Sequence, residues 1–193
     1  VSAEASPVPR RQRADAQRNL DALREAAKAV FAESGVDAPV RDIADRAGVG
    51  LGTVYRHFPL RSDLVTAVFR HEMDACADAA PVLAASYEPG EAVRLWLHRY
   101  MDFIATKRGL AAALHSGDPA FEALPLYFDQ RLVPALATLL SAAAAAGQVR
   151  TDVDARDLLT AVANLCLPAA GDPDHVRRMV DLLLDGLRYG TPA

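Results

Sequence analysis

Apolar residues recur every three or four positions along nearly the whole chain, a period that predicts helix after helix. Leu20, Leu23, Ala27, Val30 and Phe31 form one stripe on a first helix over 15–34. Gly35 stands where a left-handed residue ends such a helix. A second, short helix begins near Pro39, carries Ile43, Ala44 and Ala47 inward and stops at Gly48. A third runs from Leu51 to Phe58, with Val54 and Phe58 four apart on its inner side, and Pro59 ends it. Helices this short cannot bury themselves, so both must pack on the first. Three helices with a tight glycine-containing turn between the second and third predict a helix-turn-helix.

Beyond Pro59 a long helix is expected over 62–80, with Leu64, Val65, Val68, Phe69, Met73 and Cys76 on one broad face and Pro81 bending or ending it. Residues 85–90 read as a loop. The helix over 91–106 is apolar almost all round and belongs in the middle of a bundle. A short helix over 109–115 and a loop at 116–119 follow. Then come a long helix over 121–146, bent near Pro125 or Pro134 and stopped by Gly147, and two last helices over 154–167 and 174–189. Strand signals are almost absent and no fixed-period repeat appears. The expected fold class is all-α, with a disordered basic arm (1–14), a three-helix helix-turn-helix domain (15–61) and a helical-bundle domain (62–193).

Charge alters this picture in one place. The 193 residues carry a net charge of −4, yet residues 1–61 carry +2, ten Arg/Lys against eight Asp/Glu. Residues 62–193 carry −6, eleven against seventeen. Arg10, Arg11, Arg13 and Arg18 face only Asp15 nearby, and a basic arm on an acidic protein suggests a polyanion contact. No apolar run is long enough to span a membrane, so no membrane partner is expected. The polar start of the chain lacks the core of a signal peptide, and Cys76 and Cys166 cannot make a disulfide framework. A cytoplasmic protein with buried free thiols is the expectation.

The chemistry concentrates between Val40 and Pro59. A helix entering a major groove needs close approach at its amino end, donors for phosphates and a few side chains for base edges. Gly50 and Gly52 remove side chains there, and Thr53 supplies a hydroxyl. Tyr55, Arg56 and His57 face outward while Val54 and Phe58 point in, and Arg61 begins the next helix. An outward Tyr-Arg-His run is unusual on a helix that serves folding alone.

At these residues the sequence resembles the TetR family of bacterial transcriptional regulators. The pattern is Val40-Arg-Asp-Ile-Ala, Ala47-Gly-Val49, then Gly52-Thr, Tyr55 and His57-Phe58, with Ala26-Ala-Lys-Ala-Val-Phe31 and Gly35 upstream. The resemblance implies a homodimer whose heads bind a double-stranded, palindromic DNA operator and whose bodies bind a small-molecule effector. Leu51, Gly52, Tyr55 and Arg56 match positions facing base edges or the nearby backbone. Thr53, Tyr55, His57 and Arg61 match phosphate contacts, and Arg18 and Arg41 lie near helix starts that commonly face the backbone. Pro39, Gly50 and Leu60 depart from the usual pattern, where hydroxyl or amide residues are frequent, and each removes a polar partner; Ser62 is then a later candidate cap. The basic arm is accordingly expected to matter more. The second half, in its Leu114-His-Ser-Gly and Asp174-to-Tyr189 regions, resembles SbtR-like carboxy-terminal domains.

Trp96, Tyr100, Phe103, Tyr127, Phe128 and Asn164 are the candidate effector-pocket residues, with His98 a further polar handle. Asn164 stands amid leucines and valines, where a polar group needs a partner. Leu158, Val162, Val176, Met179, Val180, Leu183, Leu184 and Leu187 are the candidate dimer interface, since they cover more than one helix face. No catalytic residue, metal or cofactor is expected. His71-Glu72 lacks the second histidine of the zinc-protease spacing, and no nucleophile or nucleotide motif appears. Two other readings remain: a regulator acting through a protein partner without a small effector, and a helical carrier with a vestigial helix-turn-helix.

Overall fold

The computed structural model describes residues 10–110, 114, 116–166 and 173–188, and side chains from Gln17 onward apart from those of 107–109 and 173. Among these residues the chain forms eight α-helices. They are α1 (Arg10–Ser34), α2 (Val40–Ala47), α3 (Leu51–His57), α4 (Arg61–Ser86), α5 (Pro89–Gly109), α6 (Leu124–Ala145), α7 (Ala155–Cys166) and α8 (Pro173–Gly186). A single 3-10 turn (Pro119–Phe121) precedes α6, its Ala120 N–H held by the Asp118 carboxylate at 2.9 Å.

Helices α1–α3 pack as a small layer. Leu23, Ala27 and Phe31 of α1 are buried with Ile43 and Ala44 of α2 and Val54 of α3. Gly48 ends α2 at φ +67, where its N–H reaches Asp45 O and the Val49 N–H reaches Ala44 O at 3.0 Å. That left-handed corner is open to glycine at little cost and turns the chain into α3. Arg46 of α2 meets Glu33 of α1 at 2.6 Å on the surface.

The larger bundle is organised around α5, which touches α1, α4, α6, α7 and α8. Its all-round apolar character predicts this place, and Trp96, Leu97, Tyr100 and Phe103 are fully or almost fully buried. Burying each such side chain is worth about 1.5–3 kcal/mol. The Trp96 indole N–H is satisfied by Cys76 O at 2.9 Å.

Several boundaries differ from the sequence expectation. Helix α1 starts at Arg10, so residues 10–14 are helical rather than an arm; residues 1–9 lie outside the described ones. Pro81 neither ends nor splits α4, which runs on to Ser86, and α5 begins at Pro89, so the loop expected over 85–90 shrinks to Tyr87 and Glu88. Proline at 81 forfeits one backbone hydrogen bond, but its ring sits on the exposed side while Ala77, Ala80 and Leu83 pack inward. At the start of α4 the Asp63 carboxylate reaches back to the Leu60 N–H at 2.9 Å, so Ser62 is not the cap. This is half of a capping box, the reciprocal hydroxyl being absent at a leucine. Pro134 also sits inside a continuous helix. The expected helix over 109–115 and the linker after Cys166 lie largely outside the described residues.

Candidate nucleic-acid interface and body cavity

The outer side of the three-helix layer is built by two buried anchors. Val54 is 1% exposed and Phe58 is buried, and on a 3.6-residue period this pins the remaining positions of α3 outward. Tyr55 is 51% exposed, and Arg56, His57 and Gly52 are exposed as well. A side chain added at Gly50 or Gly52 would meet nothing within 4 Å, so neither glycine is required by packing inside the chain. Arg18 and Arg41 are exposed, whereas Leu51 and Thr53 are half-buried. No side chain caps α2 or α3, at Pro39 or Gly50.

Arg61 has a different place from its neighbours. It is half-buried, and its NH1 donates to Val36 O and, at 2.9 Å, to Ala38 O. It thus ties the start of α4 to the turn between α1 and α2. The expectation of a phosphate contact is corrected to this extent: that nitrogen is committed to backbone carbonyls.

The body contains a cavity of about 530 Å³ between α4, α5, α6 and α7. Of the candidate pocket residues, Tyr100, Phe128 and Asn164 line it. Trp96 does not, because it is fully buried against Tyr100, ring centroids 6.0 Å apart and planes within 5°. Phe103 stands behind the wall, stacked on Tyr100 at 5.9 Å and tilted against Phe69 at 5.3 Å. Tyr127 turns away: its hydroxyl donates to Asp74 at 2.7 Å, and the Arg70 guanidinium lies 4.7 Å from its ring centroid. Burial and the Asp74 carboxylate push the Tyr127 phenol above its ordinary pKa. Arg131 completes the tie between α6 and α4, donating to Asp74 and Asp78 at 2.7 Å each.

Asn164 is exposed at the rim rather than buried among the leucines, because α7 turns Leu158, Leu159 and Val162 inward and position 164 falls on the opposite side. The sequence reading missed Phe69, Asp129, Arg156 and Thr160. The signal was present in the four-residue spacing of Arg156, Thr160 and Asn164, which places all three on one ridge of α7. His98 lies against Asp181 of α8 at 2.9 Å, beside the Arg94 bridges to Asp181 and Asp185 at 2.8 Å, and is no pocket handle.

The candidate dimer residues divide. Leu158, Val162, Val176, Val180, Leu184 and Leu187 are all buried within one chain, so they belong to its own core. Met179, Leu182 and Leu183 share one side of α8 by helical spacing; Met179 and Leu183 are half-buried and Leu182 is 66% exposed, while Ala161 and Leu165 of α7 are half-buried too. Among the described residues these are apolar positions of α7 and α8 left at least partly open.

Glu25, His71 and Glu72 place donor atoms within 4.8 Å of one another where α1 meets α4, but the Lys28 ammonium already sits 2.8 Å from Glu72. Cys76 and Cys166 are buried and free, and burial pushes the Cys76 thiol up to about 12. Among the described residues no helix is long and apolar enough to cross a membrane.

Comparison with known proteins agrees with this geometry. Residues 23–68 match the family model of bacterial regulatory proteins of the tetR family, and residues 88–189 match that of the SbtR-like transcriptional regulator carboxy-terminal domain. The chain is similar to the TetR transcriptional regulator SCO0520 from Streptomyces coelicolor, with 39% identity and a TM-score of 0.76 over 88% of this chain and 98% of that one. A TetR regulatory protein from Mycobacterium vanbaalenii gives 36% and 0.72 over 92% and 99%. A curated relative, the HTH-type transcriptional regulator SAUSA300_2515 of Staphylococcus aureus, is 28% identical over 122 residues, 62% of this chain and 66% of that protein, just under two thirds of its length. With its helix-turn-helix, its α5-centred bundle and a family model that matches more than half of its length, the chain belongs to the TetR family of transcriptional regulators.

Proposed function

We propose that the chain acts as a homodimeric repressor that binds a palindromic operator through α3 and leaves it when a small molecule fills the body cavity. The observation that carries the reading is the outward face of α3. Tyr55, Arg56 and His57 stand exposed beside two glycines that no intrachain contact requires. In this reading Gly52, Leu51, Tyr55 and Arg56 approach base edges, Thr53 and His57 meet phosphates, and Arg18 and Arg41 add backbone contacts. Residues 15–61 form the DNA-binding domain and residues 62–193 the effector and dimerisation domain. Ala161, Leu165, Met179, Leu182 and Leu183 meet their copies in a second subunit, giving two half-sites on one face of the DNA.

The release step runs through α4. Its start is tied by Arg61 to the α1–α2 turn, its Phe69 lines the cavity, and Asp74 and Asp78 are gripped by Tyr127 and Arg131 of α6. A ligand displacing Phe69 or Phe128 therefore shifts α4 and, with it, the head. Its greatest effect on operator affinity equals the difference in its own affinity for the two states. A cavity of 530 Å³, within the range that holds small molecules, favours this over a regulator driven by a protein partner alone.

The test is a mobility shift on the DNA upstream of the chain's own gene, with Tyr55→Ala and Arg56→Ala. A sequence-specific shift lost in both variants supports the reading. A shift that survives both removes α3 from recognition.

A further inference from the structure

Arg61 stands where the helix-turn-helix ends. It opens α4, four positions after His57 closes α3. Its guanidinium reaches back to where the same unit begins. NH1 donates to Val36 O and, at 2.9 Å, to Ala38 O, both just ahead of α2. These acceptors lie 25 and 23 residues away in the chain. One side chain therefore joins the entry of α2 to the exit of α3.

The packing around this link leaves it much to do. Helix α2 packs on α1 and α3, and α1 packs on α4, but among the described residues neither α2 nor α3 packs extensively on α4. The angle of α3 to the body is thus set through α1 and through whatever holds the two ends of the unit. No side chain caps α2 at Pro39 or α3 at Gly50, so neither start is pinned in that way. The Lys28–Glu72 pair at 2.8 Å and the His71–Glu25 approach at 3.5 Å join α1 to α4 but do not reach the turn before α2. Arg61 does reach it and is half-buried, and hydrogen bonds from a guanidinium are charge-assisted and stronger than neutral ones.

We propose that Arg61 is a positioning residue for operator recognition: it clasps the two ends of the helix-turn-helix and holds α3 at its angle to the body without contacting DNA. This rests on the reading of α3 as the recognition helix, and it replaces the phosphate contact that the family resemblance implies at this position. With the clasp gone, the angle that fits the operator becomes one among several. Apparent affinity then falls by the fraction of chains that hold it, whatever the salt concentration.

The experiment compares the full chain with Arg61→Met, which keeps an apolar stem and removes the donors. Affinity for the DNA upstream of the chain's own gene is measured from about 50 to 200 mM salt. Arg61→Met should bind about tenfold more weakly throughout, with the slope of log affinity against log salt unchanged. A lost phosphate contact would instead flatten that slope by about 0.9 per subunit, or nearly 2 for a dimer. Without DNA, amide hydrogen exchange over 40–57 should quicken while that of α5 stays the same. Arg61→Gln, with a shorter neutral donor, is the second variant should Arg61→Met not fold, and the same slope is expected of it. A flattened slope, or full affinity in a folded variant, overturns the proposal and leaves the DNA reading standing. Exchange quickened equally in α5 assigns Arg61 to general stability and overturns it too. No specific binding by the unmodified chain overturns the DNA reading and the positioning role with it.

Discussion

The three-helix layer and the α5-centred bundle use the same residue alphabet to opposite ends. Val54 of α3 and Phe58 just past its end are buried and hold a helix whose outer side is open, so its exposed aromatic and basic residues stand apart as the ones proposed for recognition. In the bundle nearly every apolar position is covered, and Trp96, which sequence alone places in a pocket, is fully buried core. A one-sided layer separates structural from functional residues by helical period. A bundle with helices on all sides of α5 does not, because every face is an inner face.

The largest expected effect tests this contrast on α8. Leu184→Arg buries a cation at a position only 5% exposed and should cost more than about 4 kcal/mol, leaving unfolded or aggregated chain in a urea titration. Leu183→Arg, one residue earlier, should keep the fold and give monomers in sedimentation. If Leu183→Arg remains dimeric, the interface lies elsewhere.

In the head, Arg56→Ala should weaken operator binding by about 1–3 kcal/mol, or roughly ten- to a hundredfold, with an unchanged melting temperature. A fall in melting temperature would assign Arg56 to folding instead.

Two glycines sharpen the same division. Gly48→Ala forces φ +67 on a side-chain-bearing residue and should cost about 1–2 kcal/mol in stability, although nothing lies within 4 Å of the added carbon. Gly52→Ala, at an ordinary helical position with nothing of the chain within 4 Å of the added carbon, should raise stability by up to about 1 kcal/mol while operator affinity falls if α3 recognises DNA as proposed. Both are read by thermal melting and mobility shift. Unimpaired operator binding by Gly52→Ala would show that the backbone of α3 does not approach the duplex closely.

The smallest effect belongs to the surface tie between α1 and α2. Hydrogen bonding from Arg46 holds the Glu33 carboxyl below its ordinary pKa. Its contribution is complete above the ordinary glutamate value and is lost as pH falls through the lowered folded value. Glu33→Gln should therefore lower the urea midpoint slightly at pH 7 and by less at pH 3. An equal loss at both would assign the effect to packing, since exposed pairs contribute little.

Much of the fold was legible residue by residue. The stripe in α1, the Gly48 corner and the 54/58 anchors each follow from local spacing, and local spacing is what a chain states directly. Pro81 was misleading because the local cost of a proline is visible in sequence, whereas the packing of Ala77, Ala80 and Leu83 that outweighs it is not. Arg61 was misleading for a similar reason: its acceptors, Val36 O and Ala38 O, lie more than twenty residues away in the chain. Asn164 was placed among leucines in sequence, but the rotation of α7 puts it on the rim.

The sequence by itself determined that the chain is all-helical, that a helix-turn-helix lies near its start, and which side of α3 faces out. These depend on period, caps and glycine, all of which act within a few residues. Only the tertiary structure decided which leucines of α7 and α8 stay inside one chain, which aromatic rings border the cavity and which arginine spends itself on backbone carbonyls. Those outcomes depend on how helices distant in sequence rotate against one another, and burial is a property of the assembled bundle rather than of any one helix.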